Sequence, residues 1–323
     1  MNEKGLDAEK LKKVEHFIIK PDVELRFSKD GRYLEIDYDK MFAKKITSTK
    51  FPALLGKNNF AGKGYQYMEL LNLTERGYFN QYYMYRGELA ERLAYEMLKE
   101  MFEKRFGSVM CEVMLFDNNQ FTYGDQWHYN KDTKKGNKYF GGRIDIGVKV
   151  ELPQKEIKRF VAEVKGKSMK SYDYIVGKDN YPENEVWQGK FLATLTRLDE
   201  IQMVYVFFTE EQEDKLKAWF ENDTKEFADK WTYKDVKINL KQFKFDKEEF
   251  ARDMNITSSN LRSMAKEKRI PLHFFNDDEL YKIGIFIQEQ EQKRLKNKEF
   301  EEKAQKNVEK TDWGGVDQDD LPF

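Results

Sequence analysis

Two acidic residues and a lysine in the middle of the chain have the types and spacing of a hydrolytic site. Asp145 lies in residues 142–146 (GRIDI), and Glu163 and Lys165 lie in residues 162–165 (AEVK). Alternate side chains of a strand share a face, so Glu163 and Lys165 are expected to point in the same direction. If the two segments pair as a hairpin, Asp145 lies beside Glu163.

A divalent cation gives such a pair of acids a chemical purpose. Two carboxylates embedded in apolar strands repel each other, and a cation between them removes that repulsion. Mg²⁺ prefers hard oxygen ligands and keeps several waters, so Asp145, Glu163 and a backbone carbonyl could hold it next to a phosphate and a water. Lys165 would orient or deprotonate that water and offset charge on the phosphate. The alternative is an exposed hairpin with surface ion pairs, each worth no more than about 1 kcal/mol.

The hydrophobic pattern predicts the elements that position these residues. Two helices are expected, a long and largely buried one near 84–105 and a second at 184–198. Residues 201–209 are a continuous apolar run, which is typical of a strand inside a sheet. Helix and strand signals in this order favour a mixed α/β domain. The other strands are expected at 111–116, 142–150 and 158–165.

The ends of the chain have different patterns. Residues 23–38 predict a hairpin around Lys29-Asp30-Gly31. Beyond about residue 210 the sequence becomes charged and helical. Residues 247–270 have the spacing of a helix-turn-helix, with a first helix ending near Asn255 and a Thr-Ser-Ser cap, but two ordinary packed helices are favoured over that motif. Residues 286–310 predict an exposed charged helix.

The order of these motifs resembles the PD-(D/E)XK nucleases, and more narrowly the YqaJ-like viral recombinase family that includes lambda exonuclease. The resemblance covers about residues 44–209 and implies a restriction-endonuclease-like α/β core, a mixed central sheet flanked by helices. Around the aspartate the family commonly has Ser-Pro-Asp-Gly, where this chain has Arg-Ile-Asp-Ile. After the glutamate it commonly has Lys-Cys-Pro, where this chain has Lys-Gly-Lys. These departures leave both an exonuclease and an endonuclease possible. The matching positions are residues 46–49 (ITST), Gly87 with Glu91, Asp145, Glu163-Val164-Lys165, and Gln188 ahead of Thr196-Arg197.

The resemblance implies a set of metal ligands. Asp145 and Glu163 would bind Mg²⁺ together with the backbone carbonyl of Val164, and Mn²⁺ would substitute for it. Glu91 matches the family's helical glutamate and would complete the set. Glu88, one turn earlier, is the alternative.

The resemblance also implies catalytic and DNA-binding roles. Lys165 would be the catalytic lysine, and Gln188 would contact the metal-bound water or the DNA strand. Thr49 would hold a terminal 5′ phosphate. The predicted DNA and phosphate contacts are Lys44, Lys45, Thr49, Arg143 and Lys167.

Charge and cysteine content exclude several classes of protein. The formal net charge is −1, so DNA binding must come from local patches. Residues 131–170 are such a patch, with twelve Lys/Arg against five Asp/Glu, although a solvated hairpin edge would have a similar composition.

Cys111 is the single cysteine, which excludes a disulfide framework, a zinc ribbon and the four-cysteine iron–sulfur cluster of related CRISPR nucleases. With neither a long apolar run nor a signal peptide, a cytoplasmic protein without membrane contact is expected.

The last residues resemble the C-terminal peptide of bacterial single-stranded DNA-binding proteins. They combine acids with an aromatic side chain and a proline, a chemistry suited to a basic-rimmed apolar pocket on another protein. A solubilising acidic tail is the alternative. The predicted protein-docking residues are Asp319, Asp320, Leu321, Pro322 and Phe323.

Two functions from different classes follow. The first is a Mg²⁺-dependent nuclease, favoured as a 5′ to 3′ exonuclease on duplex DNA ends in phage-type recombination. Its expected partners are an annealing protein, host proteins that bind the tail, and two further copies in a trimer. The second is a non-catalytic DNA-binding or host-interaction protein.

The sequence predicts four segments along the chain. They are a nuclease domain (1–210), a helical appendage (211–285), a charged helix or linker (286–311) and an acidic tail (312–323).

Overall fold

The computed structural model describes residues 17–57, 62–76, 81–115, 139–152, 154–222 and 230–310. Within these ranges the helices are α1 (Phe51–Leu54), α2 (Lys63–Leu70), α3 (Gln81–Phe106), α4 (Glu183–Leu195), α5 (Glu210–Glu221), α6 (Lys247–Glu267) and α7 (Asp277–Lys310). The strands are β1 (Phe17–Ile19), β2 (Glu24–Phe27), β3 (Tyr33–Asp37), β4 (Ile46–Thr47), β5 (Thr74–Arg76), β6 (Cys111–Leu115), β7 (Phe140–Gly141), β8 (Ile146–Glu151), β9 (Ile157–Ser168), β10 (Glu200–Phe208), β11 (Lys237–Lys244) and β12 (Arg269–Pro271).

A mixed five-stranded sheet forms the centre of the fold, in the order β11-β10-β9-β8-β6. The strands β6, β8 and β9 run antiparallel to one another, β10 is parallel to β9, and β11 is antiparallel to β10. The parallel step from β9 to β10 passes through α4, as a parallel connection requires a crossover. Helices cover both faces of this sheet, so the predicted α/β core with a mixed central sheet flanked by helices is confirmed.

Alternation along the inner strands explains why both faces are buried. Val161, Met203 and Tyr205 point to the face covered by α4, where Phe191 packs. Residues of the opposite parity, among them Ala162, Val164 and Val204, point to the face covered by α3. The continuous apolar run of β10 is therefore a strand that is buried on both sides, as its sequence predicts.

The α3 helix packs closely on the central sheet at Gly166. A methyl group at this position would lie 3.2 Å from the backbone oxygen of Arg86 and 3.3 Å from the Cβ of Ala90. Leu89, Ala90 and Leu93 of the same helix are buried. Gly166 therefore lets α3 lie directly on β9, one residue away from Lys165.

Smaller sheets flank the centre. β2 and β3 form the predicted hairpin, with Gly31 at a φ of 66° in the turn, and β12 adds to its edge. β1 pairs with β5. β4 pairs in parallel with β7, which places residues 46–47 beside the chain that leads into β8.

Both expectations for residues 247–270, a helix-turn-helix and two packed helices, are wrong. Residues 247–267 form one continuous helix, α6, capped by the Asp246 side chain and ended by Lys268 in a left-handed conformation, and Arg269 begins β12. The Thr-Ser-Ser segment lies inside it: Thr257 and Ser258 are buried, and the Thr257 hydroxyl donates to the Asp253 carbonyl at 2.8 Å. The local cap signal is overridden because this face of the helix packs into the core.

Residues 211–285 are not helical throughout, since β11 lies among them and extends the central sheet. α6 also shares a core with the region before residue 210. Phe250 on α6 packs against Phe51 and Trp187, with ring centroids 5.4 and 5.1 Å apart. The division of the chain at residue 210 stays a prediction.

The last described helix, α7, packs on this core with its first half only, where Ile283 is buried. Gln290 donates to the Val23 carbonyl at 2.6 Å, and Arg294 pairs with Glu24. Every side chain described from Glu291 to Gln305 is exposed, including Leu295 and Phe300. No helix in the described ranges combines the length and apolar character needed to cross a membrane.

Gly64→Ala should destabilise the fold where α2 meets residue 275. A methyl group at Gly64 would lie 2.1 Å from the buried Phe275 ring, so we expect a loss of about 1–3 kcal/mol in the free energy of unfolding. Gly284→Ala in α7 is the control, because a methyl group there meets no atom within 4 Å. Alanine favours the helical conformation over glycine, so this variant should raise the free energy of unfolding by about 0.5–1 kcal/mol. Urea denaturation compares the two variants, and equal stability would contradict this packing.

Candidate active site

The register between β8 and β9 brings two acids together. Ile146 pairs with Ala162 in this antiparallel ladder, so Asp145, one residue earlier, lies next to Glu163, one residue later. The Asp145 Oδ2 accepts a hydrogen bond from the Val164 amide at 2.7 Å. Asp145 is 7% exposed and Glu163 2%. The sequence prediction that these carboxylates are neighbours on one hairpin is confirmed.

Lys165 links the acids to the helix that crosses the sheet. Its Nζ donates to Glu163 Oε1 at 2.7 Å and to Gln188 Oε1 at 2.9 Å. Glu163 and Lys165 share a face of β9, and α4 packs on that face and places Gln188 above them. Gln188 therefore lies at the carboxylate pair, as the motif order implies.

Glu91 also reaches this cluster, from α3. Both of its oxygens accept from Arg143 Nη2, at 3.2 and 3.1 Å. Its negative charge acts on the nearby Asp145. Glu88, the alternative, is exposed. The structure thus favours Glu91 over Glu88 as the helical acid of this site.

Burial and mutual repulsion perturb the acids strongly. Burial raises the pKa of Glu163 to about 8, with a further contribution from the charge of Asp145. Burial, followed by the charge of Glu91, raises the pKa of Asp145 to about 7. The pKa of Glu91 rises to about 7 through burial, although Arg143 opposes the shift. Perturbed acids clustered in this way are typical of functional sites.

These shifts predict how the metal-free protein responds to pH. Asp145 has a pKa of about 7 in the folded chain against an ordinary value of 3.8, so between these values the unfolded chain loses a proton that the folded chain keeps. The free energy of unfolding therefore falls as pH rises through this window. Asp145→Asn removes this penalty and should stabilise the protein in EDTA by on the order of 2 kcal/mol at pH 8.

Chemical denaturation in EDTA at pH 8 and pH 5 measures this difference. Asparagine can still accept the Val164 amide, so the hydrogen bond at Asp145 should survive the substitution. We expect the advantage of the variant to shrink at pH 5. An equal advantage at both pH values would contradict a titration origin.

The donor set is suited to a hard divalent cation. Glu163 Oε2 is buried and has no hydrogen-bond partner, which leaves it available as a ligand. Among the described residues, no three His, Cys, Asp or Glu side chains form a group arranged to hold a metal ion. The available metal ligands are therefore two adjacent carboxylates and the Val164 carbonyl. So few protein ligands suit an ion such as Mg²⁺, which keeps several of its waters when bound.

The predicted phosphate contacts fall into two groups. Arg143 and Lys167 are engaged in ion pairs with Glu91 and Glu185. Thr49 and Lys45 are exposed and Lys44 is half-buried. This second group lies beside β4, whose pairing with β7 holds it near the chain that leads to Asp145.

Sequence reasoning missed Glu185. It lies on α4 one turn before Gln188, and it forms a partly buried ion pair with Lys167. The i, i+3 spacing from Gln188 was the available signal, because such residues share a helix face. The predicted docking residues 319–323 lie outside the described residues.

Comparison with known proteins gives three structural neighbours. The chain is similar to an alkaline exonuclease from Laribacter hongkongensis, with 12% identity and a TM-score of 0.38 over 69% of this chain and 90% of that one. The same figures apply to that exonuclease in complex with dAMP. A phage-related exonuclease from Haemophilus somnus 129PT is similar at 10% identity and a TM-score of 0.42, over 69% and 94% of the chains. No protein-family model matches the chain, and no curated protein matches its sequence.

Proposed function

We propose that this protein is a metal-dependent DNA nuclease that hydrolyses phosphodiester bonds with an activated water. The proposal rests on one observation: Asp145, Glu163, Lys165 and Gln188 converge on one end of the β8–β9 hairpin. Two buried acids with raised pKa values and a lysine form a costly arrangement in an apolar core. A hydrolytic metal site explains why the chain has it.

Asp145, Glu163 and the Val164 carbonyl would hold the cation, and Glu91 would approach it if Arg143 turned to the substrate. Mg²⁺, or Mn²⁺ in its place, supplies a Lewis acid and a more acidic water when bound. The Val164 amide fixes the orientation of Asp145 through its hydrogen bond. These protein groups thus set the position at which a phosphate can bind.

Lys165 acts as a cation in this proposal. Burial opposes its charge, and the neighbouring Glu163 and Asp145 favour it and raise the pKa of its ammonium. In this role Nζ offsets negative charge that develops on the phosphate. Gln188 Oε1 accepts from the same Nζ and so holds the ammonium in place.

We further propose a 5′ to 3′ exonuclease on duplex DNA ends, which would supply single strands for phage-type recombination in a bacterial cytoplasm. Thr49, with Lys44 and Lys45, would hold the terminal phosphate. An annealing protein would take up the product strand, and a trimer would surround the DNA. An endonuclease of the same chemistry is the alternative.

Incubation of linear, nicked and circular DNA with the protein and Mg²⁺ tests this function. Loss of the linear form alone indicates an exonuclease, whereas cleavage of intact circles indicates an endonuclease. Comparison of 5′-phosphorylated with 5′-hydroxyl ends tests the role of Thr49. Intact DNA in every lane, with either Mg²⁺ or Mn²⁺, would overturn the nuclease proposal.

The acidic residues 317–323 support a separate interaction with proteins that bind the tail of single-stranded DNA-binding proteins. A labelled peptide of residues 312–323 should compete with that tail for such a partner, whereas the same peptide with Phe323→Ala should not. A DNA-binding protein without catalysis is less supported, because residues 247–267 form one helix packed on the core and no helix-turn-helix is present there.

A further inference from the structure

A guanidinium lies against the third acid of the candidate active site. Arg143 Nη2 contacts both carboxylate oxygens of Glu91, at 3.2 and 3.1 Å. The two side chains are 28% and 17% exposed, so water screens this ion pair only in part. The charge of Arg143 also favours the ionised form of Asp145. Arg143 therefore belongs to the same electrostatic cluster as the acids.

The backbone around Arg143 is held in place by packing. The residue lies in the short segment between β7 and β8. On one side of it, a methyl group at Gly142 would lie 2.6 Å from the Leu192 side chain of α4. On the other side, Ile144 is buried. This packing fixes the start of the Arg143 side chain, so the guanidinium stays close to Glu91.

The charges of the cluster favour one divalent cation over two. The cluster holds three carboxylates and two cations, which are those of Glu91, Asp145, Glu163, Arg143 and Lys165. If all five groups are ionised, the net charge is −1, because three negative charges meet two positive ones. The nearby Glu185 is balanced by Lys167, and Glu88 is exposed. One divalent cation already makes the cluster positive, and a second would add two further charges under a partly buried surface, which is unfavourable.

A second cation would also need Glu91 as a ligand. Hydrolytic sites with two cations hold them about 4 Å apart, so both ions need acids within reach. Asp145 and Glu163 are the adjacent pair, and the oxygens of Glu91 are held by Arg143 instead. A guanidinium is weakly hydrated, whereas Mg²⁺ gives up its waters reluctantly. Arg143 thus supplies positive charge at Glu91 with less desolvation than a second ion would need.

We propose that Arg143 takes the place of a second divalent cation at Glu91, so that the DNA-free protein binds one Mg²⁺ per chain, at Asp145 and Glu163. The inference rests on the nuclease function proposed above and specifies the metal content of its site. Glu91 becomes a metal ligand only when Arg143 leaves it. A phosphate of the substrate is the group that can draw the guanidinium away, because arginine binds phosphate as strongly as carboxylate.

Counting bound Mn²⁺ tests this inference without any cleavage of DNA. Electron paramagnetic resonance follows the free ion as full-length protein is titrated at alkaline pH, where the acids are ionised, and a pair of neighbouring ions has its own coupled signal. The wild type should bind one ion per chain. Arg143→Met should bind two, because it opens Glu91 and makes the cluster more negative by one charge. The double variant Arg143→Met, Glu91→Gln should return to one.

Arg26→Met is the matched control. Arg26 also pairs with a glutamate, Glu35, at 2.6 Å, but it lies on the β2–β3 hairpin and is 80% exposed. This variant should bind one ion, like the wild type. Thermal melting shows whether each variant is folded during the titration. If Arg143→Met is not, Arg143→Gln replaces it, because glutamine can still donate a hydrogen bond to Glu91, and it should also bind two ions.

Three results would overturn the inference. The first is a wild type that binds two ions or none. The second is a folded Arg143→Met or Arg143→Gln variant that still binds one. The third is a double variant that keeps two, which would place the added ion away from Glu91.

These counts are separate from the nuclease proposal. If the count rises from one to two in the variant but the wild type cleaves no DNA, the nuclease proposal fails while the role of Arg143 stands. If the wild type cleaves DNA and binds two ions, the role of Arg143 fails while the nuclease proposal stands.

Discussion

Lys165→Met should lower the rate of DNA cleavage in Mg²⁺ by about 10²- to 10⁴-fold, because it removes the cation that faces the developing phosphate charge. The substitution keeps an unbranched side chain of nearly the same length on β9, but it removes the hydrogen bonds to Glu163 and Gln188. Single-turnover cleavage of labelled linear duplex DNA measures the rate. The reduction should appear in the chemical step, with DNA binding in EDTA nearly unchanged.

Lys244→Met is the matched control for this experiment. Lys244 is an exposed lysine at the end of β11 in the same central sheet, so its loss changes the net charge equally. The control should cleave at the wild-type rate. A Lys165→Met variant that melts like the wild type and still cleaves within tenfold of it would exclude the proposed role of this ammonium.

Removal of the metal should abolish cleavage and also change stability. Mg²⁺ at about 100 times its dissociation constant should raise the free energy of unfolding by about 2.7 kcal/mol, since it binds the folded chain alone. For a chain of this size the melting temperature should rise by roughly 5 °C. Thermal melts in EDTA and across a Mg²⁺ titration measure the shift, and excess EDTA should stop DNA cleavage.

The Asp145→Asn variant makes this metal test specific. It should melt higher than the wild type in EDTA at pH 8, because it lacks the repelling charge, and it should gain nothing from Mg²⁺. Asp37→Asn, a change to an exposed acid on β3, should keep the full response to Mg²⁺. An equal response in both variants would place the cation elsewhere in the protein.

The hairpin that carries the acids could be predicted from sequence because strand geometry has a simple period. The two-residue period of a strand fixes which side chains of β9 share a face, and the antiparallel register of β8 with β9 brings Asp145, the residue before β8, next to Glu163. The buried strand β10 was also predictable, because its run of apolar residues leaves few alternatives. These elements depend on local pattern, and they position Asp145, Glu163 and Lys165.

The remaining parts of the site depend on contacts between distant segments. Glu185 pairs with Lys167 because α4 packs across β9, and the sequence around either residue does not predict that packing. The pairing of Arg143 with Glu91, which lies 52 positions earlier in the chain, is equally invisible in the sequence. The Thr-Ser-Ser segment has the composition of a helix N-cap, but it lies inside α6. Thr257 and Ser258 are buried there, and this packing favours a continuous helix over a cap.

The antiparallel course of β8 and β9 makes one place in this protein suitable for engineering. Leu152 and Glu156 are hydrogen-bonded where the two strands join, while the acids lie at the opposite end of β8, about 20 Å away at 3.3 Å per residue. Residues 154–156 are exposed, as expected of positions that tolerate insertion. A fluorescent domain or affinity tag inserted there would report on the protein from a distance, and the ladder between the strands would keep the acids in register.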